Sequence, residues 1–303
     1  MYRILLFLLL LSINFGKAQN YIEYHKLINE AEILSLDKNF QKADSLYQNV
    51  FSIVKRPFNE DYLFAGLNAE KMDKNEKTYL YFKKGIQQGL NLKRIKSKTT
   101  NFKKSSYWKT LQKEYKSLNK EFLHSIDISL KNQIKEMINK DQKVRNPIFG
   151  SAKKMKKTDT QNFIKLKNLI KENGNKWLGF STIGEISPKG KYDVTDNIVL
   201  LTLHFTKNQV EELKPFMLEA VLNGEMYPYQ YARVLDYTLE NNKEKVVQNF
   251  MKNEKVEICF SYGTYLNSNI CDCDKAENLR KKIGFEPIKD FYRKVNSNYR
   301  CLK

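Results

Sequence analysis

The 303-residue chain has few arginines, an acidic content well below its basic content, and no established catalytic motif. Of its 53 basic side chains only 8 are arginine, and with 34 acidic residues the formal net charge is +19. Recognition of phosphates and bases favours the planar guanidinium of arginine. A positive charge carried mainly by lysine therefore argues against a nucleic-acid-binding protein, and the sequence by itself assigns no activity.

Long apolar runs are also absent after residue 18, so no later segment has the ~20 apolar residues that a membrane span needs. Residues 1–18 have a basic start at Arg3, an apolar run over Ile4–Phe15, and small residues at Gly16 and Ala18. This pattern is typical of a signal peptide. We predict export to the periplasm or the cell exterior, with an uncleaved N-terminal anchor as the alternative. No cysteine follows the run, which argues against lipid attachment there.

Cysteine is confined to the last 45 residues, where Cys259, Cys271, Cys273 and Cys301 occur. An even number of cysteines in an exported protein predicts disulfides. Neighbouring Cys271 and Cys273 are poorly placed to bridge each other, so each pairs with Cys259 or Cys301, and both assignments remain open. The alternative is a Cys-x-Cys metal site assisted by the adjacent aspartates, but the usual Cys-x-x-Cys spacing is missing.

Apolar and small residues recur at helical spacing between Tyr21 and Leu92. They surround two similar turns, Asp37-Lys38-Asn39 and Asp73-Lys74-Asn75, which lie 36 residues apart. A repeat of this length with small residues inside the hairpins resembles tetratricopeptide hairpins. Each such unit needs a neighbour to bury its apolar face, so the following segment must cover these two.

The segment Asn91–Lys120 has 10 basic residues and a single acid, Glu114, interleaved with aromatic residues. Such interleaving is typical of single-stranded nucleic-acid grooves. However, the apolar residues from Trp108 to Met137 step by three or four positions, which predicts one long helix with its aromatics in a core and its lysines in solvent. We favour this second interpretation.

Helical patterns continue to the C-terminus, so we predict a mainly α protein. We expect a basic loop over Gly150–Lys157 and a helix that opens with a capping box at Thr158-Asp159-Thr160-Gln161 and runs through Ile170, close to Gly174. Val256–Phe260 alternates enough to predict a short extended piece. The other predicted helices are Thr195–Phe205, Lys207–Asn223, Pro228–Glu240 and Asp274–Ile283, with Gly224 and Gly284 as stops. The predicted units are a signal peptide (1–18), a tetratricopeptide-like region (19–125) and a second helical domain (126–303).

Four polar residues of the second domain are candidates for chemistry. Asp141 and Arg145 lie four residues apart on one helix face, where a carboxylate and a guanidinium can pair. His204 and Asp236 each lie in an apolar helical stretch, and a buried Asp236 needs a partner, for which His204 or Arg145 is available. A plain ion pair and a buried core histidine explain the same residues without any function.

A series of short motifs runs through the second domain. In order they are Asp141-Gln142-x-x-Arg145, Gly174, Thr182-Ile183-Gly184, His204, Asn223-Gly224-Glu225, Leu235-Asp236, Tyr262-Gly263-Thr264 and Asn278-Leu279-Arg280-x-x-x-Gly284-Phe285. This order over about Leu130–Tyr292 resembles an uncharacterised bacterial family defined by a domain of unknown function, whose members often carry a signal peptide and a tetratricopeptide-like region in front. The chain departs from the family at Leu203, Tyr237 and Tyr265, where glutamine, arginine and glutamine are expected.

The resemblance implies no assigned activity, but it implies that these polar residues form one pocket built by several helices. In that pocket His204 is the candidate base, oriented by Asp141 or Asp236 and accompanied by Arg145. A buried polar network that fixes helix packing is the alternative. The candidate binding residues are Gln142, Tyr262 and Thr264.

Three functional hypotheses follow. The first is an exported binding or scaffold protein whose tetratricopeptide-like part docks a protein or peptide of the cell envelope. The second is a hydrolase-like enzyme that uses His204, Asp141, Arg145 and Asp236. The third is weak, salt-sensitive binding of an anionic surface through Lys93–Lys120 and Lys153–Lys157. We expect no cofactor, no metal and no nucleic acid.

Overall fold

A computed structural model describes residues 20–146, 150–184, 190–194, 197–238 and 258–303, so the predicted signal peptide lies outside the described residues. The described chain is mainly helical, as predicted. Its helices are α1 (Tyr21–Leu36), α2 (Phe40–Val50), α3 (Asn59–Glu70), α4 (Asn75–Gln87), α5 (Leu92–Lys98), α6 (Ser106–His124), α7 (Ile128–Arg145), α8 (Ala152–Glu172), α9 (Phe180–Ile183), α10 (Ile198–His204), α11 (Lys207–Leu222), α12 (Pro228–Thr238), α13 (Cys273–Lys282) and α14 (Ile288–Lys294). A short 3-10 helix covers Phe102–Lys104, and the strands are β1 (Cys259–Phe260), β2 (Ser268–Ile270) and β3 (Tyr299–Cys301).

The first four helices form two helical hairpins, α1 with α2 and α3 with α4. The turns fall where the sequence predicts them, and Lys38 (φ 61°) and Asp73 (φ 56°) adopt the left-handed conformation that ends each first helix. Small residues between the helices let the backbones approach closely, and all of them are fully buried: Ala31, Ala43, Ala65 and Ala69.

Helix α6 packs on α4, and aromatic residues of α6 and of the 3-10 helix before it lie in the core of the second hairpin. Phe102, Trp108 and Phe122 are buried, whereas the lysines of α6 are exposed. The predicted core position of the aromatics is therefore confirmed. The prediction of one continuous helix is wrong, because α6 ends at His124 and the side chain of Asp127 accepts a hydrogen bond from Leu130 N to begin α7.

Helix α8 begins earlier than predicted. The Ser151 side chain accepts a hydrogen bond from Lys154 N and caps a helix that starts at Ala152. Both the basic loop over Gly150–Lys157 and the capping box at Thr158 are therefore wrong, since good helix formers such as alanine and lysine extend the helix to this serine. The predicted end is close to the observed one, with Gly174 at φ 70° after Glu172.

The other predicted helices match their positions to within a few residues, whereas α9 and α14 were not predicted. Gly224 (φ 73°) and Gly284 (φ 70°) follow α11 and α13 as the predicted stops. Helix α10 begins at Ile198, where the Asn197 side chain caps it. The part of the predicted Pro228–Glu240 helix that follows residue 238 lies outside the described residues.

The strands form a three-stranded parallel sheet in the order β1-β2-β3. Disulfides join Cys259 to Cys271 and Cys273 to Cys301, with Cα atoms 5.0 and 5.7 Å apart. The two predicted disulfides are confirmed, and of the two open assignments this pairing is the observed one. The extended piece predicted near Cys259 is strand β1, although Val256 and Glu257 lie outside the described residues.

Aromatic residues from the second half complete the core of the first hairpins. The ring of Phe58 stacks on that of Tyr227 at a centroid distance of 4.1 Å and packs against Phe180 at 4.9 Å. Asn29 of α1 donates a hydrogen bond to Asp290 of α14 at 2.7 Å. Within the described part of the chain, no helix is both long enough and apolar enough to cross a membrane.

Candidate functional site

Arg145 lies at the centre of a charged cluster formed by α7, α8 and α10. Its Nη2 atom donates to Oδ1 of Asp141 at 2.9 Å and also to Asp159. Its Nε atom lies 3.0 Å from Nδ1 of His204, while Nε2 of Gln142 donates to Oδ2 of Asp141 at 2.7 Å. The structure thus brings together four of the residues singled out in the sequence. Asp159 also belongs to this cluster, although the sequence analysis assigned it to the cap of a helix and not to the candidate site.

The Nδ1 atom of His204 faces a donor and an acceptor at nearly equal distances. It lies 3.0 Å from Nε of Arg145 and 3.1 Å from Oδ1 of Asp141. When Nδ1 carries a proton, it can donate that proton to Asp141. When Nδ1 carries no proton, it can accept a hydrogen bond from Nε of Arg145. Burial by itself would raise the pKa of the Asp141 carboxyl, but hydrogen bonds from His204 and Arg145 hold it below its ordinary value.

Among the described residues, this cluster is the one whose side chains are placed to bind a metal ion together. Asp141, Asp159 and His204 offer one ligand atom each within 4.8 Å of one another. The guanidinium of Arg145 donates to both carboxylates, and its positive charge opposes a cation among those atoms. The donor set therefore fits an ion-pair network better than a metal ion.

Asp236 has different partners from those expected for it. Its Oδ1 atom accepts a hydrogen bond from Tyr262 N at 2.8 Å, and its Oδ2 atom accepts from Thr264 N at 2.9 Å and Thr264 Oγ1 at 2.8 Å. Tyr262 and Thr264, rather than His204 or Arg145, provide these three donors. Burial raises the pKa of Asp236, and the three hydrogen bonds oppose that rise. This carboxylate therefore fixes the loop that follows β1.

Arg280 holds the same loop from the other side. Its guanidinium is fully buried, donates to the carbonyl oxygens of Tyr262 and Glu286, and stacks over Phe285 at 3.7 Å from the ring centroid. Burial lowers its pKa to about 10. Between these contacts Gly263 adopts φ 65°, and a Cβ there would meet Ile270 at 2.7 Å. The Tyr-Gly-Thr, Leu-Asp and Asn-Leu-Arg motifs therefore meet as one packed structural unit.

A groove opens beside the first hairpin, away from both of these clusters. It has a volume of about 400 Å³, within the range of ligand-binding clefts. Its walls are largely apolar, and two exposed lysines, Lys38 and Lys71, lie at its edge. The apolar and aromatic lining residues are Leu36, Phe40, Tyr47, Phe64, Leu67 and Tyr192.

The floor of the groove is a buried ion-pair network. The carboxylate of Glu32 lies 2.5 Å from Nζ of Lys191 and 2.5 Å from Nζ of Lys294, and all three side chains are less than a tenth exposed. Glu286 adds a second carboxylate 3.6 Å from Lys294. Burial would raise the pKa of Glu286, but Lys294 and Lys191 hold it below its ordinary value. These groups come from α1, the 190–194 segment, the turn between α13 and α14, and α14 itself, so the second half of the chain closes the groove.

Comparisons of the chain with protein families, with curated proteins and with solved structures found no match. The residues of the groove and the two polar clusters therefore carry the functional argument.

Sequence reasoning missed the floor of the groove. Glu32 is separated from Lys191 by 159 residues and from Lys294 by 262 residues. Charged residues are frequent in this chain, so neither pattern nor spacing distinguishes these three from solvent-exposed ones. The sequence pointed to this region only through the first hairpin turn, which contains Lys38 at the edge of the groove.

Proposed function

We propose that this chain is an exported binding protein whose groove takes an apolar peptide segment carrying acidic residues, from a protein of the cell envelope. The groove carries the proposal, since its volume and apolar walls suit side chains of a peptide and its uncompensated lysines suit carboxylates. Disulfides persist in oxidising compartments, and together with the signal-like residues 1–18 they support export. The hairpins' likeness to tetratricopeptide repeats supports a peptide as the ligand.

Charge complementarity selects the ligand. Four lysines line the groove, of which Lys191 and Lys294 are paired with the carboxylates of Glu32 and Glu286, so the lysines at its edge decide the preference for a ligand. Lys38 and Lys71 have no ion pair within 4 Å among the described residues. A carboxylate that reaches the edge of the groove therefore gains a favourable interaction, while an ammonium group is repelled.

The test begins with selection of peptides from a random phage-displayed library on the full chain. Selected sequences should combine apolar residues with aspartate or glutamate. Ser35→Trp fills the groove and should weaken binding of the labelled synthetic peptides at least tenfold, whereas Ser45→Trp, on the exposed face of α2, should leave it unchanged. Equal affinities of the two variants would exclude the groove as the binding site.

A second pair of variants isolates the lysines. Lys38→Glu combined with Lys71→Glu should weaken binding of the acidic peptides and improve binding of versions in which lysine replaces each acid. Lys42→Glu combined with Lys74→Glu changes net charge equally on exposed residues outside the groove. If both double variants behave alike, general charge rather than this groove determines the affinity.

A second candidate function rests on the contact between Asp141 and His204. A carboxylate that orients a partly exposed imidazole is an arrangement used for general base catalysis. We propose a hydrolytic role as the alternative, tested by screening small esters, amides and glycans. His204→Ala should then abolish turnover while shifting the thermal midpoint by only a few degrees, and collapse of the fold would assign the histidine to packing instead.

A further inference from the structure

A row of lysines runs along the outer face of α6. Lys109, Lys113, Lys116 and Lys120 follow each other at intervals of four, three and four residues, and all are exposed. At 100° per residue this spacing keeps them within one narrow sector of the helix, over a length of roughly 16 Å. We call these four residues the lysine stripe.

The acids of α6 do not neutralise the stripe. Glu114 lies 3.0 Å from Nζ of Lys83 and accepts a hydrogen bond from Tyr79, both on α4. Glu121 accepts a hydrogen bond from Gln87, also on α4, at 2.8 Å. Both carboxylates therefore face α4 and not the stripe. Within the described residues no carboxylate lies within 4 Å of the ammonium groups of the stripe.

The aromatic residues of this segment are engaged in packing. Phe102 and Trp108 are buried, and Tyr107 packs on Tyr79 at a centroid distance of 5.8 Å. Binding of single-stranded nucleic acid depends on exposed rings that stack on bases. The stripe offers charge without such rings, and its ammonium groups are point charges that do not need the bidentate geometry of arginine.

We propose that the lysine stripe docks this protein on the surface of a bilayer rich in anionic phospholipid, independently of the groove. A linear array of ammonium groups with no apolar side chain to insert predicts adsorption to the headgroups, with strength that rises with lipid charge and falls with salt. The Lys153–Lys157 run of α8 lies outside this proposal.

The test is co-sedimentation of the full chain with vesicles of pure phosphatidylcholine and of equimolar phosphatidylcholine and phosphatidylglycerol. The wild type should bind only the anionic vesicles and should be released by high salt. Lys109, Lys113, Lys116 and Lys120, all replaced by glutamine, should lower the partition coefficient by at least tenfold, since each lysine near such a surface contributes roughly a fivefold gain.

The matched control replaces four exposed lysines elsewhere with glutamine, Lys275, Lys281, Lys282 and Lys289, so that net charge changes equally. This control should retain binding, and circular dichroism should show that both quadruple variants are folded. Equal loss in the two variants, binding to neutral vesicles, or retention in high salt would each overturn the proposal. Tighter binding of a single-stranded oligonucleotide than of anionic vesicles would reassign the stripe to nucleic acid.

Discussion

Both hydrogen-bond donors of Thr264, its backbone N–H and its hydroxyl, converge on one carboxylate oxygen of Asp236, at 2.9 and 2.8 Å. The other oxygen of Asp236 binds the backbone of Tyr262 two residues earlier. One side chain on α12 therefore determines the path of a loop that lies 26 to 28 residues away in the chain.

We expect Asp236→Ala to lower the free energy of unfolding by about 3 kcal/mol or more, because two buried N–H groups and a hydroxyl lose their acceptor. Urea denaturation of the wild type and the variant measures this loss. Thr264→Val should cost less, about 1.5–3 kcal/mol, since only the hydroxyl is lost. Thr264→Ser keeps the hydroxyl and is the control, and a Thr264→Ser protein as unstable as Thr264→Val would contradict this account.

Asp61 should make stability depend on pH in a direction opposite to that of an ordinary ion-paired carboxylate. Burial raises the pKa of Asp61 to about 7, although Lys191 at 3.9 Å opposes the rise. In the unfolded chain the value is about 3.9. The folded state therefore holds a proton that the unfolded state has lost, and the free energy of unfolding falls as pH rises from about 4 to 7.

Asp61→Asn removes this titration. The amide oxygen of the variant can still accept a hydrogen bond from the hydroxyl of Tyr24, which lies 2.6 Å from the carboxylate in the wild type. The stability of the variant relative to the wild type should increase by up to about 4 kcal/mol between pH 4 and 8. Chemical denaturation of both proteins across this range measures the difference. A constant difference would mean that Asp61 does not titrate in this interval.

The cluster around Arg145 should be sensitive to loss of the guanidinium. Arg145→Met leaves the buried carboxylate of Asp141 without its cationic partner, so we expect a loss of about 3–5 kcal/mol near neutral pH. Arg145→Lys restores a charge but not the fork, and should recover part of the loss. Thermal unfolding of the three proteins decides the order, and an Arg145→Met protein as stable as the wild type would show that the cluster is dispensable.

Cys273→Ser combined with Cys301→Ser removes the bridge between α13 and β3. We expect a loss of about 3 kcal/mol in the free energy of unfolding, because the unfolded chain regains the entropy of the released loop. Mass spectrometry of the wild type, purified without reductant, should show a mass lower by four hydrogens than that of the reduced protein. Four titratable thiols in the native protein would contradict both bridges.

Many of the helices were predictable because their apolar residues repeat at the helical period and their ends carry local signals such as Gly224 and Gly284, but the break between α6 and α7 and the start of α8 were missed. The hydrogen-bond partners of Asp236 were not predictable from the sequence. Its donors are mainly backbone N–H groups, which every residue but proline possesses. The cluster of Asp141, Arg145 and His204 was in part foreseeable from the four-residue spacing of the first two. The groove was beyond the sequence, because its floor joins residues from three distant segments whose charges resemble the rest of the surface.

The two disulfides close consecutive rings, one from Cys259 to Cys271 and one from Cys273 to Cys301. A protease that cuts once inside either ring leaves the two fragments covalently joined, and only a cut at Asp272, between the rings, separates them. The C-terminal part of this protein should therefore migrate as a single species after limited proteolysis under oxidising conditions and fall into fragments once a reductant is added. That tolerance to nicking suits the exported location that we propose for this protein.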